Sequence, residues 1–242
     1  MIMRQSLTFA VLIPVVLIVT LFAVAQAWIP GIVERRIVAG IEDSVDSVES
    51  LHVKVRSFPA ALIPLGRIDA LEIDASRIRI KDLFIQRIFL DARDIRLGAR
   101  EMLFGDEAGK GNAPLKSLRD GHVTVILAEK DINDYFKRQN GILKILSVRL
   151  RRNYATVSGS VPLLGGKLDL ELEGRFDVEG KTRIRYVIDR FLVQNITVPK
   201  FIQDQLFGGL DLSIDLKDLP LPVTVRGIKA EDGEIYAFGT IP

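Results

Sequence analysis

The chain of 242 residues contains no cysteine. That absence excludes disulfide frameworks, zinc ribbons, iron–sulfur sites and a cysteine nucleophile. Histidine is scarce: His52 and His122 are the only two, which leaves little room for a histidine metal site or a catalytic triad. Neither sign of charge is in excess, with 33 basic against 31 acidic residues and a formal net charge of +2. Such a balance argues against a dedicated nucleic-acid surface. The sequence also lacks a G-x-S-x-G elbow, a G-x-x-x-x-G-K-[ST] phosphate loop and an H-E-x-x-H helix. No enzyme and no cofactor are expected. A lipid-facing, structural or binding protein is what the composition leaves.

What is present is hydrophobicity, unevenly placed. Mean hydropathy is +0.23, and nearly all of that excess comes from residues 1–27. No charged residue lies between Arg4 and Glu34, and Leu7 to Val24 is apolar apart from Thr8, Pro14 and Thr20. This is a membrane-targeting segment. Ala25-Gln26-Ala27 has the small-x-small form of a signal-peptidase site, whereas the length of the apolar run approaches that of a spanning helix. A cleaved signal peptide and an uncleaved transmembrane anchor both stay open, and either places residues 28–242 outside the cytoplasm as a single domain. Arg4 is the only charge in the segment, so without it the formal charge falls from +2 to +1.

Pro30 and Gly31 punctuate the chain after this segment, and Ile37, Ile41, Val45 and Val48 then recur at helical spacing. An amphipathic helix of roughly five turns is expected, its stripe packed on the protein's own sheet. From Leu51 the period becomes two: Leu51, Val53 and Val55 alternate with His52, Lys54 and Arg56. A short helical turn at 59–63 ends at Gly66. Alternating strands follow through Ala92, then an exposed glycine-bearing loop at 105–112.

Val123 to Leu127 reads as a strand and Ala128 to Gly141 as a helix, with Ile132, Tyr135 and Phe136 on one side and Gly141 as its stop. A two-residue loop at Arg152-Asn153 predicts a hairpin with Leu150 opposite Ala155 and Val148 opposite Val157. In the strand Lys167 to Val178, Leu168, Leu170, Leu172, Phe176 and Val178 share a face. A loop of Glu179-Gly180-Lys181 would set Asp177 opposite Arg183 and Arg175 opposite Arg185, and a phase change past Arg190 predicts a bulge. Pro199 to Phe207 reads as a further helix, before strands at 210–216 and at the C-terminal end. The body is thus α+β: a strongly curved antiparallel sheet of long amphipathic strands around two or three helices.

Ser57-Phe58-Pro59, Leu62-Ile63, Gly66-Arg67-Ile68-Asp69 and Leu71-Glu72-Ile73-Asp74-Ala75, together with Ala128-Glu129-Lys130-Asp131-Ile132-Asn133-Asp134-Tyr135, resemble the LmeA family of bacterial phospholipid-binding envelope proteins. The resemblance covers roughly residues 30 to 242. It implies a curved sheet wrapping helices, similar to tubular lipid-binding domains. It also implies phospholipid or glycolipid handling at the outer face of the cytoplasmic membrane.

On that reading acyl chains lie against an apolar groove formed by Ile41, Val45, Val48, Phe136, Leu170, Leu172, Phe176, Ile184 and Tyr186, although the same side chains could simply fill the core. Arg149, Arg151 and Arg152 crowd one hairpin and could fork onto a headgroup phosphate, or serve solubility and edge protection. Asp211, Asp215 and Asp218 lack the turn geometry of a calcium loop and are read as solvated. No metal site is expected. The partners expected are lipid and membrane, not nucleic acid. The alternative is a non-catalytic structural or adaptor subunit that pairs its sheet edges with a protein partner.

Overall fold

The computed structural model describes residues 2–98, 115–140, 144–163, 166–201, 213–215 and 223–241. The 105–112 loop, Gly141, most of the 199–207 helix, and Asp211 and Asp218 lie outside them. The chain divides into two compact units. One holds residues 1–41, 53–72 and 92–119; the other holds 42–52, 73–91 and 120–242. Two antiparallel sheets are present, where the strand pattern predicts one. The first has the order β1 (Ser50–Arg56), β2 (Arg67–Ile80), β3 (Leu83–Leu97), β5 (Asp120–Ala128), β13 (Glu234–Ile241), β12 (Thr224–Glu231), with β4 (Leu115–Ser117) on β3. The second has the order β10 (Ile196–Thr197), β9 (Arg183–Val193), β8 (Gly166–Glu179), β7 (Tyr154–Leu163), β6 (Leu146–Arg151), with β11 (Ser213–Asp215) on β9.

The first unit is dominated by helix α1 (Ile2–Ser44), which runs unbroken through Pro14 and Pro30. The interruption expected at Pro30-Gly31 is absent. Proline has a helical φ, but it removes an intrahelical hydrogen bond and its ring crowds the carbonyl four residues earlier. Polar contacts from Gln26 and Glu34, on either side of Pro30, fasten α1 to the 55–60 segment. The short turn appears as a 3-10 helix at Ala60–Leu62. It ends at Gly66, whose φ of 84° is the left-handed conformation that glycine supplies without strain.

In the second unit the apolar stripe is longer than the helix. Helix α1 stops at Ser44, and the Asp46 amide and the Ser47 carbonyl bond instead to the backbone of Arg79 in β2. Val45 and Val48 pack on Ala75, Ile78 and Ile85, so the end of the stripe does cover the protein's own sheet. Arg77 has a φ of 52°, and the buried positions on either side, Ala75 and Ile78, are three apart instead of two. One left-handed residue thus resets the strand phase.

The hairpin of β6 and β7 has the expected register, Leu150 opposite Ala155 and Val148 opposite Val157, with Asn153 at a φ of 67°. In β8 and β9 the pairing is displaced. Asp177 faces Arg185, and Glu179 faces Arg183. The turn is therefore Gly180-Lys181-Thr182 and not 179–181. Gly180, at a φ of 69°, takes its first position. The loop length stays odd, so the apolar faces still match. The bulge falls beside Arg190: Glu173 pairs with Arg190 and Gly174 with Ile188, leaving Asp189 as the extra residue.

Candidate functional site

The apolar face of the second sheet is built by register. Rows of directly opposed residues run Leu150–Ala155–Gly174–Ile188 and Val148–Val157–Leu172–Phe191 across β6 to β9. Helix α2 (Glu129–Arg138) brings Ile132 and Phe136 onto this face. With Ile228, Phe176 and Tyr186 they pack around the buried cluster Val148, Leu150, Ala155, Ala230 and Ile235. Burial of such a cluster is the main local stabilisation, at about 25 cal/mol per Å² of apolar surface removed from water.

Tyr186 shows how tightly that end is filled. Its ring lies 5.3 Å from the opposed Phe176 ring, and a Cβ at Gly174 would sit 3.0 Å from the ring's Cζ and 2.2 Å from the Val187 carbonyl oxygen. Only glycine admits this arrangement. The phenol shares its hydrogen between the Ala155 and Leu172 carbonyls at 2.8 and 2.9 Å. Burial, with a smaller contribution from the Asp189 and Glu173 carboxylates, pushes its pKa well above that of a free phenol.

Further along the same face lie residues outside that cluster. Leu168, Leu170 and Leu172 of β8 and Val193 of β9 are half-buried, as Phe176 and Tyr186 are. Of the nine expected groove residues, Phe136, Phe176 and Tyr186 belong to the packed cluster, and Ile184, opposite Val178, is buried. Leu170 and Leu172 lie further along the same face, outside that cluster. Val45 and Val48 pack elsewhere in this unit, on Ala75 and Ile78, and Ile41 belongs to the other unit. The structure thus gathers six of the nine on one sheet face.

Arg149 and Arg151 occupy the opposite face, and Arg152 lies in the turn that follows β6. Arg149 and Arg151 alternate with buried Val148 and Leu150 and are exposed. Arg152 is held by Glu231 at 3.3 Å. The Glu231 carboxyl lies below its usual range, chiefly through Lys229 and also through Arg152. That outer face also carries an open depression of about 500 Å³ with Ser147, Ser158, Glu171 and Leu192 in one cross-strand row. Its carboxylates, Asp169 and Glu171, disfavour an anionic ligand. No cluster of three or more metal-ligating side chains occurs among the described residues.

Helix α2 supplies polar contacts that hydropathy alone does not reveal. The Asn133 side chain accepts from the Val148 amide at 2.7 Å and donates to the Val148 carbonyl at 2.8 Å. One turn earlier, Glu129 accepts from the Leu150 amide at 2.6 Å. Together they satisfy the Val148 amide and carbonyl and the Leu150 amide on the outer edge of β6, the last strand of its sheet. Asp131, 2% exposed, receives the Arg77 guanidinium at 3.0 Å. The Arg77 and Arg138 guanidinium carbons lie 5.0 and 5.5 Å from the centre of the Phe84 ring.

In the first unit the residue at the centre of the small-x-small motif has a structural task. Gln26 donates to the Ser57 carbonyl at 2.9 Å and accepts from the Ala60 amide at 2.9 Å. Glu34, two turns on, accepts from the Val55 amide at 2.8 Å. Ser57 and Ala60 are buried, so these bonds fasten α1 to the body of its unit. A lone amide at the end of an apolar run was the available signal for Gln26, and the cleavage-site pattern obscured it.

No curated protein and no solved structure matches the chain. A family model does, over residues 24–237, nearly the whole chain beyond the apolar segment. The chain belongs to the LmeA-like phospholipid-binding family.

Proposed function

We propose that the protein binds phospholipid, with acyl chains against the Leu168–Leu172 stretch of the second sheet's apolar face, and that it does so at the outer face of the cytoplasmic membrane. The observation that carries this reading is the family match over residues 24–237, joined to an apolar sheet face whose Leu168–Leu170–Leu172 stretch stays half-buried. Each methylene removed from water there contributes about 0.8 kcal/mol. Leu170 and Leu172 make the direct contacts, while Phe136, Phe176, Ile184 and Tyr186 form the packed end that limits how far a chain can enter. In this reading the second sheet curves around α2, as in tubular lipid-binding domains, and residues 28–242 work as one extracytoplasmic domain. Arg149 and Arg151, lacking a carboxylate partner among the described residues, meet headgroup phosphates of lipid or glycolipid. Arg152 does so only by giving up Glu231.

Helix α1 is the membrane attachment, retained as an anchor. Its stretch at 13–44 is long and apolar enough to cross a bilayer. Cleavage after Ala27 would leave the Ser57 carbonyl and the Ala60 amide without Gln26, and orphaned groups of that kind cost about 1–3 kcal/mol each. The anchored position suits lipid handling or transfer in the envelope. Edge pairing with a protein partner is the weaker alternative at β6, where Glu129 and Asn133 already bond to the edge.

Native mass spectrometry of the full chain in detergent, after incubation with a phospholipid mixture, tests the binding claim. Retained phospholipid on the wild type, lost in the Leu170→Glu/Leu172→Glu double variant at unchanged helix content, supports it. Equal retention by both proteins refutes it.

A further inference from the structure

The first unit presents apolar side chains that its own core does not use. Ser57, Ala60 and Ile63 are buried, yet Phe58 is 71% exposed and Leu65 is 57% exposed. The segment between them is firmly held. Gln26 bonds to both Ser57 and Ala60, and the Phe58 amide donates to Asp69 at 2.7 Å. Phe58 and Leu65 are thus displayed by a fixed scaffold.

What they face follows from α1. The Phe58 ring sits edge-on to the Phe22 ring, with centroids 5.7 Å apart. Phe22 lies within the apolar run. Leu7 to Ala27 is 21 residues, which as helix spans roughly 30 Å, the thickness of a bilayer's hydrocarbon core. Ala27 is five positions after Phe22, about 8 Å of helix. Phe58 therefore shares the depth of a residue inside the membrane. Trp28, the only tryptophan, is 70% exposed just beyond Ala27, where an aromatic side chain marks the membrane–water boundary.

We propose that the Phe58–Leu65 loop is a second membrane contact, entering the acyl region of the leaflet from which α1 emerges. The occupant of this apolar surface is lipid. The argument is continuity, since the patch adjoins the helix that the bilayer already surrounds. Two contacts fix the unit's tilt against the membrane, which a single helix leaves free. This inference rests on α1 spanning the bilayer, as proposed above, but not on lipid binding by the second sheet.

The absence of cysteine makes the test direct. Full-length Phe22→Cys and Leu65→Cys variants are labelled with an environment-sensitive fluorophore. Each is reconstituted into phosphatidylcholine–phosphatidylglycerol vesicles carrying a nitroxide at acyl carbon 5. The label at 65 is expected to be quenched to at least half the extent of that at 22, and to be shielded from aqueous iodide. Adding Phe58→Ser to the Leu65→Cys chain is expected to reduce that quenching at least twofold, with melting behaviour as a folding control. Quenching at 22 with iodide-accessible, lipid-insensitive label at 65 overturns the inference. So does a label at 65 shielded from both quenchers, which means protein covers the patch. An unquenched label at 22 overturns the anchoring itself, and this inference with it.

Discussion

Asn133 pairs its side-chain amide with both backbone groups of Val148, at 2.7 and 2.8 Å, as a neighbouring strand would. A helix thereby finishes a sheet edge that would otherwise be open to another chain. Asn133→Ala strands one donor and one acceptor, and we predict a loss of about 2 kcal/mol in unfolding free energy. Asn133→Asp keeps the acceptor for the Val148 amide and loses the donor, so it should fall between the two. Urea titration of the three proteins checks the order.

Asp131 and Arg77 form the buried counterpart of that edge. The carboxylate is almost wholly enclosed, while the arginine side chain is 41% exposed. Removing Arg77 leaves a buried charge, whereas removing Asp131 leaves a cation that water can reach. Arg77→Leu is therefore predicted to destabilise more than Asp131→Leu, by about 1 kcal/mol or more. Denaturant midpoints at constant slope measure the difference.

Tyr186 predicts an alkaline response. Its folded pKa is raised above the unfolded value, so the neutral phenol is the form the fold favours. The associated stability is fully present below a pH of about 10 and is lost as pH rises through the folded pKa. Tyr186→Phe loses the bonds to the Ala155 and Leu172 carbonyls, a cost of about 1 kcal/mol at neutral pH. The gap in Tm between wild type and variant should narrow as pH increases from 9 to 11.

Gln26 carries the prediction for the anchor. Gln26→Leu keeps the apolar run and its length but removes both bonds to the 57–60 segment. Faster proteolysis at 57–66, with α1 still in the membrane fraction, is the expected outcome. Unchanged protection would show that α1 docks without this residue.

The β6–β7 hairpin was fully legible because a two-residue turn and alternating side chains admit one register. The β8–β9 pairing was not. Glu179-Gly180-Lys181 and Gly180-Lys181-Thr182 both keep the leucines inward, and hydropathy does not distinguish them. The left-handed conformation of Arg77 was hidden for a similar reason, since arginine carries no backbone signature as glycine does. At the site, alternation located the face bearing Leu170, Leu172, Phe176 and Tyr186. It also placed Arg149 and Arg151 on the opposite face, away from those apolar side chains. The contacts of Gln26, Glu129 and Asn133 join positions far apart in the chain to backbone groups, and such pairings leave no periodic trace.

The central claim is that lipid contacts the apolar face of β8 as well as α1. Photo-crosslinking of the membrane-embedded full chain with a phospholipid bearing a diazirine in its acyl chain, followed by peptide mapping, tests it most directly. The account predicts adducts on residues 168–172 in addition to those on α1, with the 168–172 adducts suppressed by excess unlabelled phospholipid. Adducts confined to α1 and the 58–65 loop would contradict it.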